Sequence, residues 1–254
     1  MHPSPELTAA LDAAEQAAGI ARSLYKQNIE VRIKADKSPV TEADLRCETA
    51  IREILEARFP SHGFFGEETG SRNAAAESVW LVDPIDGTKA FVRGYPMFST
   101  QIALMRRGEI VLGVSSAPVY GEVACAERGC GAYLNGRAIR VSEVATLESA
   151  ALSSGNLKTL AGGGRWARYG ALVARVGRIR GYGDFLHYHL LASGSIDAVI
   201  ESDVNILDIA AAVAIVTEAG GRFTDLDGAP ISVESTSVLA TNGRMHAPIL
   251  AALG

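Results

Sequence analysis

The run Trp80-Leu81-Val82-Asp83-Pro84-Ile85-Asp86-Gly87-Thr88-Lys89 constrains this chain more than any other feature. Its apolar start reads as a strand ending at Val82, and Pro84 stiffens the turn and disfavours helical backbone at Asp83. Two carboxylates, a bare backbone carbonyl and a helix start near Thr88 then fall within six residues. Gly87 permits close approach to the backbone, and the first N–H groups of a helix lack partners within it. That grouping suits phosphate held beside a metal ion. The plain alternative is a proline turn with two exposed acids.

At 254 residues the chain can bury a sizeable core, as one large domain or two closely packed halves. Its 48% hydrophobic and 21% charged content is that of an ordinary globular protein, and the formal charge of −5 makes nucleic acid an unsuitable partner. No signal peptide opens the sequence, and no apolar run approaches the ~20 residues that span a bilayer, so a cytoplasmic location is expected. Cys47, Cys125 and Cys130 fit no common zinc or redox spacing and read as reduced structural thiols.

Ser4-Pro5-Glu6 signals a first helix with Leu7, Leu11, Ala14, Ala18 and Ala21 on its buried face. Thr41 and Asp44 form a capping-box pattern for a second, running through Ile51, Ile54 and Leu55 to about Phe59. Strands are expected at Gly63–Phe65, Val79–Val82, Ser99–Leu104, Ile110–Val119 and Glu122–Ala126, mainly antiparallel, with turns at Arg106–Glu109 and Asn135-Gly136. The pattern changes near residue 145, which divides the chain into an expected N-terminal subdomain over 1–145 and a C-terminal one over 146–254. In the second, helices are expected over Trp166–Val176 and Asp208–Ala219 and strands over Ile196–Ile200, Arg222–Leu226 and Ser237–Thr241. The overall class is α/β.

Four clusters could carry chemistry: Gly66-Glu67-Glu68, the Asp83/Asp86 turn, Asp208 at the start of an apolar helix, and Lys37 through Asp44. Each alone has a bland reading: solvated acids, an exposed turn, a charge favoured by the helix dipole, and a loop ending in a capping box. Together they supply oxygen ligands of the kind Mg²⁺ takes, at strand ends and helix starts, where α/β architectures present ligands.

With these residues in view, the chain resembles the magnesium-dependent, lithium-sensitive phosphatases of the inositol monophosphatase superfamily. The match lies in Gly66-Glu67-Glu68, Asp83–Thr88, Asp208-Ile209-Ala210-Ala211 and Glu218-Ala219-Gly220-Gly221, and extends over nearly the whole sequence. The resemblance implies a layered α-β-α-β-α sandwich, commonly in a homodimer, and two or three Mg²⁺ ions per site. It assigns Glu67, Asp83 and the Ile85 carbonyl to one ion, and Asp83, Asp86 and Asp208 to a second. It further implies that Gly87 and Thr88 N–H groups hold phosphate, and that Asp44 and the Thr88 hydroxyl orient and help deprotonate the attacking water, Glu67 being part of the same catalytic group. By the same resemblance Lys37 matches a mobile loop that approaches the substrate phosphate or an additional metal.

Substrate residues point to one branch. The stretch Lys89–Thr100, with Arg93 and Tyr95, and the stretch Tyr182–Tyr188 look like the histidinol-phosphate phosphatase branch of that superfamily. Glu201 matches a substrate-contact position, and Asp184 and Glu201 are carboxylates able to pair with the ammonium and imidazole of histidinol phosphate. Asp184 has the alternative reading of a helix cap after Gly183, and Arg93 that of a solvated turn. His187 and His189 are read as packing or surface residues. The expected activity is Mg²⁺-dependent hydrolysis of a small phosphomonoester, histidinol phosphate first, inositol 1-phosphate or a nucleotide 3′-phosphate next. A regulatory or binding role without turnover is the remaining class, and the complete acid set argues against it.

Overall fold

A computed structural model describes residues 3–34 and 39–254. Lys37 therefore lies outside the described residues. Helix α1 (Pro5–Leu24) starts where Ser4 accepts a hydrogen bond from the Leu7 N–H, and its alanine face is wholly buried. A short hairpin, β1 (Val31–Ile33) with β2 (Pro39–Thr41), leads into α2 (Glu42–Arg58), whose capping box joins Thr41 and Asp44.

The next segment builds one large sheet. It contains β3 (Gly63–Gly66), β4 (Gly70–Arg72), β5 (Ser78–Asp86), then the short helix α3 (Thr88–Val92), β6 (Ser99–Arg106), β7 (Glu109–Ala117), β8 (Glu122–Glu127), β9 (Gly131–Leu134) and β10 (Arg137–Ile139). Their order across the sheet is β10-β9-β8-β7-β6-β5-β3-β4, and every pair is antiparallel except β3 with β5. The strand expected to reach Val119 stops at Ala117, because Pro118 has no N–H for the ladder.

A second sheet follows, built from β11 (Ala151–Ser154), β12 (Arg178–Arg180), β13 (Ala198–Ser202), β14 (Arg222–Thr224) and β15 (Ser237–Thr241), in the order β12-β11-β13-β15-β14. Between these strands lie α4 (Lys158–Gly162), α5 (Trp166–Val173), α6 (Asp184–Ala192) and α7 (Ile206–Glu218), and α8 (His246–Leu253) closes the chain. Helix α5 is shorter than its apolar pattern suggested, ending in an i→i+3 turn from Arg175 N–H to the Leu172 carbonyl before Gly177. Helix α7 begins two residues earlier than expected, at Ile206, with Asn205 as its cap. The strands expected at Ile196–Ile200 and Arg222–Leu226 occupy Ala198–Ser202 and Arg222–Thr224.

Strand parity sorts the side chains into three cores. Trp80, Val82, Ile102 and Leu104 face α1 and α2; Leu81, Ala103 and Ala124 on the opposite face meet α6, α7 and the inner face of the second sheet; Leu152, Ile200 and Leu239 face α5 and α8. The stacking is therefore α-β-α-β-α, with α7 in the middle layer. Gly113 of β7 makes this close: a Cβ there would sit 2.4 Å from the Ala211 carbonyl oxygen of α7. Cys47, Cys125 and Cys130 are free thiols, and no described helix is long and apolar enough to cross a membrane.

Candidate active site

The C-terminal end of β5 breaks register against β6 between Asp83 and Asp86, so that two residues intervene on one strand and turn both acids toward one place. Asp83 Oδ1 accepts the Ile85 N–H at 2.9 Å, and Thr100 donates to the Pro84 carbonyl at 2.9 Å, which fixes the bulge. Gly87 then adopts φ +89°, and a Cβ on it would lie 2.4 Å from the Met97 carbonyl. Glycine is thus required by the turn and by that close approach, a demand separate from any ligand.

Asp208 arrives from the other half of the chain. As the third residue of α7 its carboxylate accepts the Asn205 N–H at 2.8 Å and the Asn205 side-chain amide at 3.0 Å. Asp83, Asp86 and Asp208 each place one oxygen within 4.8 Å of the others. Burial, then the charges of Glu67, Asp86 and Asp208, drive Asp83 well above the usual carboxylate range; burial, then Asp184, Asp208 and Glu201, does the same to Asp86. Burial also pushes Asp208 up to about 6, with Glu67 and Glu201 adding to it. Ionised together, such acids need a cation among them. Oxygen-only donors in this packing fit a hard divalent ion such as Mg²⁺.

Asp44 sits at the equivalent position of α2, third in the helix. Its Oδ2 accepts from the Thr41 N–H and hydroxyl at 2.8 and 2.6 Å, leaving Oδ1 to meet the Thr88 hydroxyl at 3.1 Å. Thr88 Oγ1 also lies 3.0 Å from the Ile85 carbonyl. Burial raises the Asp44 pKa against the hydrogen bonds from Thr41 and Thr88.

Glu67 follows β3, its N–H bonded to the Val82 carbonyl at 3.2 Å. Lys34 Nζ bridges Glu67 and Glu68 at 3.0 and 2.7 Å. Burial alone would lower the Lys34 pKa, but the two carboxylates outweigh it and hold it above the ordinary value. Buried Glu48 accepts the N–H groups of Glu68 and Thr69 at 2.7 and 2.8 Å and so fastens this loop. Neither Lys34 nor Glu48 was anticipated. Glu48 had a signal: Asp44, Glu48, Ile51 and Leu55 form one helical stripe, and an acid inside a buried stripe requires partners.

Beyond Asp86 and Asp208 the acid cluster opens into a narrow cleft lined by Asn156, Asp184, Tyr188, Glu201, Val204 and Ile209. Asp184 opens α6 in the left-handed region, φ +45°, and burial followed by the Glu201 charge raises its pKa. It stands at the first position of the helix, Gly183 being the cap. Glu201 is only 4% exposed, and its oxygens are already engaged. Oε1 accepts the Asn156 N–H at 3.1 Å; Oε2 accepts the Tyr188 hydroxyl at 2.8 Å and lies 3.1 Å from His187 Nε2. Burial pushes Glu201 up, yet His187, Asn156 and Tyr188 bring it below the usual range. His187 and His189 are buried, so the surface alternative for them is discarded. Arg93, at the C-terminal end of α3, is exposed and is not among the residues that line the cleft.

Fold and site together define a class: layered α/β proteins in which carboxylates from strand ends and helix starts converge to share hard cations with a ligand. A model of the inositol monophosphatase family matches residues 2–254. A histidinol-phosphatase of Mycobacterium tuberculosis is 40% identical over 254 residues, 98% of this chain and 97% of that protein. One from Chlorobaculum parvum is 34% identical over 99% and 97%, and an inositol-1-monophosphatase of Rhizobium meliloti is 36% identical over 85% and 83%. Among solved structures, the extragenic suppressor protein suhB of Bartonella henselae superimposes with a TM-score of 0.91 at 32% identity, covering 98% of both chains. The chain belongs to the inositol monophosphatase family.

Proposed function

We propose that this protein is a Mg²⁺-dependent histidinol-phosphatase, hydrolysing L-histidinol phosphate to L-histidinol and phosphate. The observation that carries the phosphatase reading is the convergence of Asp83, Asp86 and Asp208 beside the Thr88–Asp44 pair. The substrate reading is supported by the full-length likeness to histidinol-phosphatases and by the acid-lined cleft next to the cluster.

Glu67, Asp83, the Ile85 carbonyl, Asp86 and Asp208 would hold two or three Mg²⁺ ions. When bound, these ions lower the pKa of the attacking water and neutralise charge on the entering and leaving oxygens. The remaining work belongs to the chain. Thr88 passes its hydroxyl proton to Asp44 Oδ1 and takes one from the attacking water in its place, so that Asp44 serves as the general base through one intervening hydroxyl. The elevated pKa of Asp44 suits it to that proton. Gly87 and Thr88, at the start of α3, offer backbone N–H groups to the phosphate oxygens. Asp184 faces the cationic end of the substrate across the cleft, while Glu201 holds Tyr188, Asn156 and His187 in the wall behind it.

The test is phosphate release from L-histidinol phosphate, inositol 1-phosphate and 3′-phosphoadenosine 5′-phosphate, with and without Mg²⁺ and with Asp83→Asn as blank. A preference for histidinol phosphate of about a hundredfold in kcat/KM, ~2.7 kcal/mol of discrimination, supports the proposal. Preference for another ester retains the phosphatase and removes the substrate assignment.

A further inference from the structure

A line of buried polar groups runs from Asp86 into the large sheet and out again, untouched by the scheme above. Ser99 donates to Asp86 Oδ2 at 3.2 Å, and its oxygen accepts from Gln101 Nε2 at 2.8 Å. The same Nε2 donates to Ser115 Oγ at 3.1 Å. Ser115 Oγ is 2.8 Å from His189 Nε2, and His189 Nδ1 is 2.9 Å from Glu122 Oε2. Ser99, Gln101, Ser115 and His189 are each at most 2% exposed, whereas the Glu122 side chain is 28% exposed. A metal-site carboxylate and a surface carboxylate thus form the two ends of one chain of hydrogen bonds.

The polarity of that chain follows from counting hydrogens. The Gln101 amide nitrogen carries two, one for each serine, so both serine oxygens accept and both serine hydrogens point outward. One goes to Asp86. At the far end Glu122, an acceptor only, takes the hydrogen on His189 Nδ1, and in the neutral imidazole this leaves Nε2 bare to accept the Ser115 hydrogen. Glu122 is accordingly held below the usual carboxylate range, first by this hydrogen bond.

Gln101 Oε1 is buried with no partner. Turning the amide over would leave its NH₂ unpaired instead, consume the Ser99 hydrogen, and deprive Asp86 of its donor. It would also move the His189 hydrogen to Nε2 and set a bare Nδ1 against Glu122. A carboxylate at each end selects the observed orientation, and the orphan carbonyl is its cost.

We propose that Gln101 sets the direction of this line, and that Gln101, Ser115 and His189 are positioning residues that keep Ser99 donating to Asp86 and so hold that carboxylate in its ligating orientation. The inference rests on the metal-binding reading of Asp86. Outer partners of metal ligands act in this way, and their loss commonly weakens metal binding by tenfold or more.

Two measurements test it. In the metal-free protein labelled with ¹⁵N-histidine, two-bond ¹H–¹⁵N spectra, assigned with His189→Gln, should show His189 with hydrogen on Nδ1; hydrogen on Nε2 overturns the proposal. Calorimetric titration with MgCl₂ should show Kd raised about tenfold in Gln101→Met and in Ser115→Ala. If both variants keep the parent Kd while Asp86→Asn loses affinity, the line is merely structural and the proposal fails. If Asp86→Asn also keeps it, the metal reading of Asp86 falls first, and this inference with it.

Discussion

The Thr88 hydroxyl stands 3.1 Å from Asp44 Oδ1, and this one contact ties the start of α3 to the start of α2. Asp44 Oδ2 is committed to capping α2, so under the proposed function Oδ1 alone is left to take the proton that Thr88 passes on. Thr88→Val should therefore lower kcat by about 10²–10⁴ while leaving Mg²⁺ affinity within a few-fold, measured by steady-state assay and calorimetry. Asp44→Asn should match that loss and also cost ~1 kcal/mol of stability, seen in thermal melting, as the cap weakens.

Asp83 is hemmed in by like charge, with burial first and then Glu67, Asp86 and Asp208 all raising its pKa. Replacing it with Asn should abolish hydrolysis of every phosphoester and sharply weaken Mg²⁺ binding. Near-normal turnover would refute its place in the metal site. Thermal stability of the metal-free variant should rise at neutral pH, because an amide needs neither the buried charge nor the proton uptake that the fold imposes on Asp83.

The proposed function expects recognition and chemistry to separate at Asp184. Asp184→Ala should raise KM for histidinol phosphate about tenfold or more and spare a neutral ester such as glycerol 2-phosphate. Equal losses on both substrates would make Asp184 a structural residue of α6.

The acid cluster also sets a pH dependence of stability. Asp208 is raised to about 6 and Glu68 to about 7 in the folded chain, both by burial first, against unfolded values near 4. A carboxyl that binds its proton more tightly when folded stabilises the fold at low pH, and that contribution is lost as pH rises through the folded value. The metal-free protein should accordingly lose on the order of 1–3 kcal/mol between pH 5 and pH 8. Added Mg²⁺ should offset the loss, so that the gain in melting temperature on adding 5 mM MgCl₂ is about zero at pH 5 and largest at pH 8. A gain independent of pH would contradict this.

Gly113 tests how the packing of α7 against the large sheet supports the site. An added Cβ would meet the Ala211 carbonyl at 2.4 Å, so Gly113→Ala must push α7 away from the large sheet. A cost of about 2–3 kcal/mol is expected, lowering the melting temperature by roughly 5–10 °C. Since Asp208 rides on α7, Mg²⁺ affinity should fall in the same variant.

Much of this was readable along the chain because the signals were local. Ser4-Pro5 and the Thr41/Asp44 box mark their helices, and strand alternation marks β5 to β8. The short strands β1, β2, β4 and β9 to β12 went unseen, since three or four residues carry too little alternation to register. The order β12-β11-β13-β15-β14 is equally silent in sequence, being fixed by layer packing. Asp83 and Asp86 announced themselves by spacing, but Lys34 beside Glu67, and Tyr188 beside Glu201, depend on chain segments meeting in space. Ser99 and Gln101 did carry a hint: two polar residues on the inward face of a strand that continues to Ala103 must satisfy each other or something beyond.

Asp208 is carried by a helix made late in the chain and clamped between two sheets, while Asp83 and Asp86 lie on a strand made early. In chain order the whole of the large sheet precedes α7, so the cluster lacks a member until α7 emerges and inserts. Under the proposed function a chain ended before α7 should show no turnover of phosphate esters, and activity should arrive only once that middle layer has inserted between the two sheets.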